Sequence, residues 1–176
     1  MDLTINDVKK TARNRITRMR IGEAIIKLLD KTPLSEIRVA TISQLTGISR
    51  MTFYRYYVSK EAALKDYLME IIYLYKQESN NRANGSQFRT VEHLAFTFDF
   101  FAHFDKLILK LENIGCYKYI VDCVNEFFEK EYHQYFNDSV YDMYQYCGGI
   151  MNVFLKWIHS DRKETPRMLA RIVLGD

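Results

Sequence analysis

The 176-residue sequence predicts an all-α protein with two domains. It contains only 7 Gly and 2 Pro, which is few for a β sandwich or barrel, where tight turns recur. Apolar residues occur at i, i+3, i+4, i+7 and i+8 both early and late in the chain, the spacing of helices with one buried side. With 48% apolar and 27% charged residues, the composition is that of an ordinary globular chain that can bury a core.

Charge divides the chain into a basic front and an acidic rear. Residues 1–65 hold 13 Lys/Arg and 6 Asp/Glu, a net charge of +7, whereas residues 66–176 hold 12 Lys/Arg and 16 Asp/Glu, a net charge of −4. This asymmetry indicates that only the front meets a polyanion. We therefore predict two domains, 1–65 with a basic N-terminal arm that ends in Lys9 and Lys10, and 66–176.

The sequence of the front domain predicts a long helix, then two short helices, and then a second long helix. The first begins near residue 11 and ends before Pro33. Gly47 permits a positive φ between the two short helices, and Ser49 and Ser59 are suitable N-caps. The buried stripe of the first helix is Ile21, Ala24, Ile25, Leu28 and Leu29. The later helices are predicted at 39–45, 49–56 and 59–79.

Five further helices are predicted in the rear domain. A polar loop at 79–86 precedes them, and each break between them falls where polar residues, glycine or proline interrupt the apolar pattern. The predicted spans are 88–104, 105–113, 117–136, 138–160 and 164–173.

The two short helices have the spacing of a helix-turn-helix, with Thr46-Gly47-Ile48 as the turn. An ordinary helical corner has the same spacing. However, the second helix is too short to be a good core helix, and only Phe53 and Tyr57 have the i, i+4 spacing of buried residues. The outer surface would then carry Arg, hydroxyl and aromatic side chains, which suit the major groove of DNA. The residues expected there are Arg50, Thr52, Tyr54, Arg55 and Tyr56.

The segment IRVATISQLTGISRMTFYRYYVSKEAAL resembles the DNA-binding domain of the TetR family of bacterial transcription regulators. The shared features are the Gly47-Ile48-Ser49 turn, the aromatic run from Thr52 to Tyr57, and the Ser59-Lys60-Glu61 opening of the fourth helix. The resemblance covers about residues 11–68. It implies a three-helix helix-turn-helix domain, a helical domain for ligand binding and dimerisation, and a homodimer that binds an operator in double-stranded DNA. It also implies a repressor released by a small-molecule effector.

Base contacts are assigned to the third helix. Arg50 is the first candidate, because a guanidinium can donate two hydrogen bonds to guanine; a solvated surface arginine is the alternative. Met51, where the family commonly has Gly, Pro or Lys, offers apolar contact to a thymine methyl. Thr52 and Tyr54 are weaker candidates, since either could contact phosphate alone.

Phosphate contacts are assigned to a charge and to neutral hydroxyls. Lys60 lies near a helix N-terminus, whose N–H groups add to its charge, and Thr41 and Tyr56 carry hydroxyls. Arg38 and Ala40 depart from the family, which often has Thr and Arg at these positions. The DNA-binding residues predicted are Arg38, Thr41, Ser49, Arg50, Met51, Thr52, Tyr54, Tyr56 and Lys60. Counterion release is expected from Lys9, Lys10, Arg13, Arg15 and Arg18, for each of which a solvated charged surface is equally compatible.

The resemblance assigns the dimer interface to the last two long helices, 138–160 and 164–173. The first of them carries a stripe at i, i+3, i+4, i+7 and i+8, and Gly148-Gly149 would permit close backbone approach. The alternative is that the stripe packs within its own subunit. The predicted interface residues are Ile150, Val153, Phe154, Trp157 and Ile158.

The composition of the rear domain is compatible with an aromatic ligand pocket, but the sequence does not identify an effector. Residues 96–104 and 117–146 are rich in Phe and Tyr, which could line an apolar pocket but are more often plain core. The residues His93, Asp99 and His103 lack the spacing of a metal-ligand set, so no metal or cofactor is predicted. The cysteines Cys116 and Cys123 could sense oxidants, although no adjacent basic cluster is visible.

Other classes of protein fit the sequence less well. No phosphate-binding Gly loop, G-x-S-x-G, H-E-x-x-H or Cys/His metal spacing is present, which disfavours an enzyme. A DNA-binding protein whose rear half binds a protein coactivator remains an alternative, and so does a helical adaptor, although the basic front argues against the adaptor. Three Cys, no signal-peptide pattern and no apolar run of ~18–20 residues favour a reduced, cytoplasmic protein without a membrane span.

Overall fold

The computed structural model describes residues 12–82, 88–136 and 139–176, and throughout these ranges the regular structure is helical. The all-α prediction is therefore confirmed. The basic arm with Lys9 and Lys10 lies outside the described residues. The helices are α1 (Ala12–Leu28), α2 (Val39–Thr46), α3 (Arg50–Tyr56), α4 (Lys60–Asn80), α5 (Val91–Ala102), α6 (Asp105–Asn113), α7 (Tyr117–Glu131), α8 (Val140–His159) and α9 (Pro166–Leu174).

The chain forms two compact units, 1–70 and 71–176, and the division falls inside α4. The boundary predicted from charge at residue 65 lies one and a half turns earlier on the same helix. Charge composition changes before the packing does, because the first turns of α4 still belong to the front core. The front unit is called the head below, and the rear unit the body.

The core of the head forms between the predicted stripe of α1 and residues of α2, α3 and α4. Ile21 and Ile25 on α1 are fully buried, together with Ile42, Phe53 and Leu64. These spacings were visible in the sequence, and the structure confirms that they face inward.

A glycine in the head allows α1 and α4 to approach each other closely. A Cβ atom on Gly22 would lie 2.4 Å from Cδ2 of Tyr67 on α4, which is too close for any side chain. Helix packing therefore requires glycine at this position.

The body packs α5, α6, α8 and α9 around one apolar core. The core residues of α5 are Leu94, Phe98 and Ala102, and those of α8 and α9 are Phe154, Trp157, Ile158, Leu169 and Ala170. Helix α9 begins with Thr165 as N-cap and Pro166 in its first turn, as helix-start preferences favour. The indole N–H of Trp157 donates to the carbonyl of Glu164 at 2.9 Å, which ties the end of α8 to the start of α9.

Two helix ends in the body differ from the prediction. Helix α5 begins at Val91 instead of residue 88, because Arg89 has a φ of 66° and Thr90 caps the helix by accepting from the N–H of His93. Helix α7 ends at Glu131 instead of residue 136, and a short 3₁₀ turn follows at His133–Tyr135. The segment after α7 is rich in aromatic residues, and the segment before α5 begins with Phe88; their burial gives an apolar pattern without requiring a helix.

Among the described helices, none combines the length and the apolar composition that a membrane crossing requires.

Candidate nucleic-acid interface

The turn between α2 and α3 is built from local hydrogen bonds. Gly47 adopts a φ of 70° at the end of α2, a left-handed conformation that favours glycine. The hydroxyl of Thr46 donates to the carbonyl of Ile42 at 2.8 Å and accepts from the N–H of Ile48 at 3.3 Å. Arg20 on α1 donates to the carbonyl of Thr46 at 2.9 Å. The turn is therefore fixed both by its own residues and by α1.

Helix α3 presents two opposite surfaces. Phe53 and Tyr57 are buried, as their i, i+4 spacing predicts. Met51 is 84% exposed and Tyr54 is 59% exposed, and Arg50 is exposed as well. An apolar side chain as open as Met51 is not part of the core, so this surface is available to a partner.

Ser49 is the N-cap of α3, as predicted. Its Oγ accepts from the N–H of Thr52 at 3.0 Å and lies 2.9 Å from the hydroxyl of Thr52. These bonds orient the hydroxyl of Thr52 towards the start of its own helix. The predicted base contact by Thr52 would have to share that hydroxyl with Ser49.

A polar notch of about 470 Å³ lies between α1 and the start of α3. The hydroxyl of Tyr56 donates to Oδ1 of Asn14 at 2.9 Å, which joins α3 to α1 beside the notch, and the guanidinium of Arg55 stacks 5.3 Å from the Tyr56 ring. Hydroxyls, an amide and one guanidinium are groups that bind phosphate oxygens. The lining residues are Asn14, Thr17, Gly47, Ile48, Ser49, Thr52, Arg55 and Tyr56.

Sequence interpretation did not identify the contribution of α1 to this notch. Asn14 and Thr17 have no predicted role, because they precede the other lining residues by about 30 to 40 positions in the sequence. Their polar side chains between the arginines of α1 were the available signal.

Lys60 makes contacts that the sequence could not show. Its ammonium donates to the carbonyls of Ser35 at 2.7 Å and Ile37 at 2.9 Å, so it fastens the segment before α2 to the start of α4. These bonds give Lys60 a structural role in the head. A phosphate contact by Lys60 stays a prediction.

The remaining predicted contacts of α2 are accessible. Thr41 is exposed, and Arg38 is an exposed N-cap residue whose side chain makes no capping hydrogen bond. Both therefore remain candidates for phosphate contact.

The expectation that Arg18 acts by counterion release is wrong. Its side chain is 10% exposed and forms an ion pair with Asp66 and, at 3.3 Å, with Glu70, whose side chain is 9% exposed. Arg15 also bonds to Glu70 at 3.0 Å. Two carboxylates on α4 hold these guanidinium groups, whereas the side chain of Arg13 lies outside the described residues.

The same network reaches the end of α3. The hydroxyl of Tyr57 donates to Asp66 at 2.6 Å, and burial followed by the Asp66 charge raises the pKa of Tyr57 well above its usual range. The hydroxyl therefore remains protonated and keeps donating. Asp66 thus links α1, the residue after α3, and α4 within the head.

Three of the five predicted interface residues on α8 are buried in their own subunit. Phe154, Trp157 and Ile158 pack against α5 and α9, while Ile150 and Val153 are half-buried against the same core. The i, i+3, i+4 spacing serves this internal core, so these three side chains have little surface left for a partner subunit. Packing within the subunit was the stated alternative, and it describes them better.

The outer surfaces of α8 and α9 carry other exposed apolar groups. On α8, Tyr141 is 83% exposed, and a Cβ on Gly148 or Gly149 would meet nothing within 4 Å. On α9, Met168 and Ile172 are exposed at i, i+4 spacing. These residues are open to a partner, whereas Phe154, Trp157 and Ile158 are not.

The cysteines do not have the surroundings of oxidant sensors. Cys116, Cys123 and Cys147 are buried thiols. Burial raises the pKa of Cys116 and raises that of Cys147 to about 12, so both thiols are protonated at neutral pH. In the described part of the chain, no cluster of His, Cys, Asp and Glu has the geometry of a metal site.

No protein-family model and no curated protein matches this chain. The fold is similar to that of the fatty acid degradation regulator FadR from Bacillus halodurans, with a TM-score of 0.51 and 18% identity over 90% of this chain and 93% of that one. A second similar structure is the transcriptional regulator FadR from Bacillus subtilis in complex with stearoyl-CoA, with a TM-score of 0.47 and 19% identity over 89% of this chain and 95% of that one. At such identities the likeness is one of fold.

Proposed function

We propose that this chain is a DNA-binding transcription regulator of the TetR type, which acts as a homodimeric repressor and is released by a small molecule. The observation that carries the proposal is the two-sided α3. It buries Phe53 and Tyr57 and leaves Arg50, Met51 and Tyr54 exposed beyond a capped glycine turn. An exposed helix of this composition fits the major groove. The fold likeness to a transcription regulator supports the proposal.

The contacts divide between α3 and its surroundings. Arg50 donates to guanine, and Met51 contacts a thymine methyl, so these two specify sequence. The notch beside Tyr56 and Arg55 takes a backbone phosphate, which sets the position of α3 along the groove without selecting a base. This arrangement separates residues that set specificity from residues that set affinity.

Dimerisation follows from the DNA geometry. One helix-turn-helix head contacts one half-site, and two heads span half-sites about 34 Å apart. We assign the dimer contact to the exposed residues of α8 and α9, among them Tyr141, Met168 and Ile172. An operator as partner implies a cytoplasmic protein, which agrees with the reduced state of the three cysteines.

Selection from random duplex oligonucleotides at one fixed salt concentration tests the function. We expect enrichment of a two-fold symmetric site whose halves are one helical turn, or a multiple of it, apart. Binding by a protein that sediments as a monomer would contradict the dimer, and no enrichment above unselected DNA would contradict the function.

Arg50→Ala will relax specificity at one base pair of each half-site. Loss of a bidentate contact reduces discrimination there by about 1–3 kcal/mol, which is roughly 5- to 150-fold. The measurement is competition between the selected operator and single-base variants. Lys106→Ala on α6 removes an exposed charge from the body and should leave discrimination unchanged. Discrimination by Arg50→Ala equal to that of the parent would assign Arg50 to solvent.

Lys60→Met separates the predicted phosphate contact from the observed structural one. A phosphate contact predicts weaker binding to all sequences and a salt slope lower by about one. Loss of the bonds to Ser35 and Ile37 predicts a lower melting temperature without DNA. We expect both changes in titrations at several salt concentrations and in thermal scans, with Lys106→Met as control. Lower stability with an unchanged slope would restrict Lys60 to the structural role.

A further inference from the structure

A buried histidine in the body has one ring nitrogen in a closed hydrogen-bond chain. His93 on α5 is 4% exposed, and its Nε2 lies 3.1 Å from the hydroxyl of Tyr75. That hydroxyl lies 2.9 Å from the hydroxyl of Thr97, which donates to the carbonyl of His93 at 2.9 Å. Each hydroxyl has one proton and a carbonyl only accepts, so Tyr75 donates to Thr97 and His93 donates from Nε2 to Tyr75. Nδ1 of His93 is therefore an acceptor.

This acceptor has no donor among the described residues. Nδ1 of His93 is buried without a hydrogen-bond partner, and the same holds for the hydroxyl of Tyr146 on α8. Burial lowers the pKa of His93 to about 4, so the ring is neutral at neutral pH. Buried polar atoms are nearly always paired in folded proteins, and exceptions require an explanation.

One aromatic ring lies against the rings of both residues that carry the unpaired groups. The ring centroid of Phe88 is 5.5 Å from that of His93 and 5.4 Å from that of Tyr146, and it stacks 4.8 Å from Tyr132. A phenyl ring has no polar hydrogen to donate to Nδ1 of His93 and no strong acceptor for the hydroxyl of Tyr146, so both groups remain without a hydrogen bond. Phe88 itself is only half-buried.

The backbone at Arg89, the residue after Phe88, favours movement of the Phe88 ring. Arg89 has a φ of 66°, which is rare and costly for a residue with a side chain, and its guanidinium lies over the ring of Tyr146 at 4.8 Å. Rotation of the backbone at residues 88–90 would withdraw the Phe88 ring and relieve the strained φ of Arg89. It would leave a space with an acceptor, a donor and aromatic walls.

We propose that this space between His93, Tyr146 and Tyr132 binds a small neutral aromatic molecule that carries a hydroxyl group, with the ligand ring replacing the ring of Phe88. A ligand hydroxyl donates to Nδ1 of His93 and accepts from Tyr146. A carboxylate has no proton for Nδ1, and a plain hydrocarbon satisfies neither group. Tyr132 and the other rings around Phe88 stack on a flat ligand. The role of this space as the effector site of a regulator rests on the proposed function, but the binding of the ligand does not.

Binding of phenol, compared with toluene, tests the site in the absence of DNA. We expect calorimetry to show phenol binding tighter than toluene binding. Tyr146→Phe should weaken phenol binding by about 3- to 10-fold, the value of one hydrogen bond, and leave toluene unaffected. Phe88→Ala should tighten phenol binding because the ring no longer has to leave. Tyr144→Phe removes a tyrosine hydroxyl on the same helix that donates to Glu129 on α7, and it should leave phenol binding unchanged.

The ¹⁵N resonance of Nδ1 in His93 gives a second readout that does not depend on the folding of the Phe88 variant. Phenol should shift it towards the value of a hydrogen-bonded nitrogen, and toluene should not. Equal binding of the two probes, or an unshifted Nδ1 signal at saturation, would overturn the site. Phenol binding without release of the selected operator would retain the site but remove its role as effector site. If selection yields no operator, the proposed function fails but the phenol result is unaffected. The failure of the function and the failure of the ligand site can therefore be told apart.

Discussion

Arg18→Ala will lower the free energy of unfolding by about 3 kcal/mol, because it removes the cation from a buried ion network. Asp66 and Glu70 both face Arg18, and the side chain of Glu70 is 9% exposed. The mutation therefore leaves a desolvated carboxylate whose other partner among the described residues is the half-exposed Arg15. Asp66 also accepts from Tyr57, so the change reaches the end of α3. Chemical denaturation at neutral pH is the measurement.

The matched control for Arg18 is Arg15→Ala. Arg15 contacts the same Glu70 but is 50% exposed, so its loss should cost less than about 1 kcal/mol. We also expect Arg18→Ala to weaken operator binding more than the loss of one surface charge would, because α1 and α3 lose a shared anchor. Equal destabilisation by the two alanine variants would show that burial of Arg18 has no energetic consequence.

Acidification from pH 7 to pH 4 will remove about 3 kcal/mol of stability through His93 alone. Burial lowers the pKa of His93 from 6.5 to about 4. The unfolded chain therefore takes up a proton below pH 6.5 that the folded chain refuses until about pH 4. The contribution of the neutral ring is complete above pH 6.5 and decreases as the pH falls through this window.

Urea denaturation of the parent and of His93→Phe at several pH values measures this contribution. Carboxylates titrate in both proteins, so the difference between them isolates the histidine. We expect the parent to lose about 3 kcal/mol more than His93→Phe between pH 7 and pH 4. His103→Gln, which changes an exposed histidine on the solvent side of the same segment, should follow the parent. Parallel curves for the parent and His93→Phe would show that the folded protein accommodates the charged ring.

Local sequence signals predicted most helix starts correctly. Ser49 and Ser59, the two predicted N-caps, cap α3 and α4 through bonds to an N–H three residues later. Thr165, which was not predicted, caps α9 in the same way. These signals act over one turn, so they can be recognised without knowing the rest of the fold. The two helix ends predicted wrongly, near Arg89 and after Glu131, lie where aromatic packing across the body competes with helix propensity.

Long-range partners were not predictable in the same way. Arg18 and Lys60 were both interpreted as DNA contacts because a charge near a helix-turn-helix has the same sequence pattern in either role. Their carboxylate and carbonyl partners lie 48 and 23–25 positions away along the chain. Only the packing of α1 and the 33–38 segment onto α4 brings these groups together.

By itself, the sequence determined the helical fold, the capped turn at Gly47 and which side of α3 is buried, because periodicity and capping are properties of neighbouring residues. The tertiary structure decided that Phe154, Trp157 and Ile158 pack in the core of their own subunit. It also decided that Asn14 and Thr17 complete the notch and that His93 and Tyr146 are left without partners. The spacing of apolar residues predicts that one side of a helix is buried, but it does not identify the element that buries it. A hydrogen bond between residues distant in sequence forms only when the helices that carry them pack together.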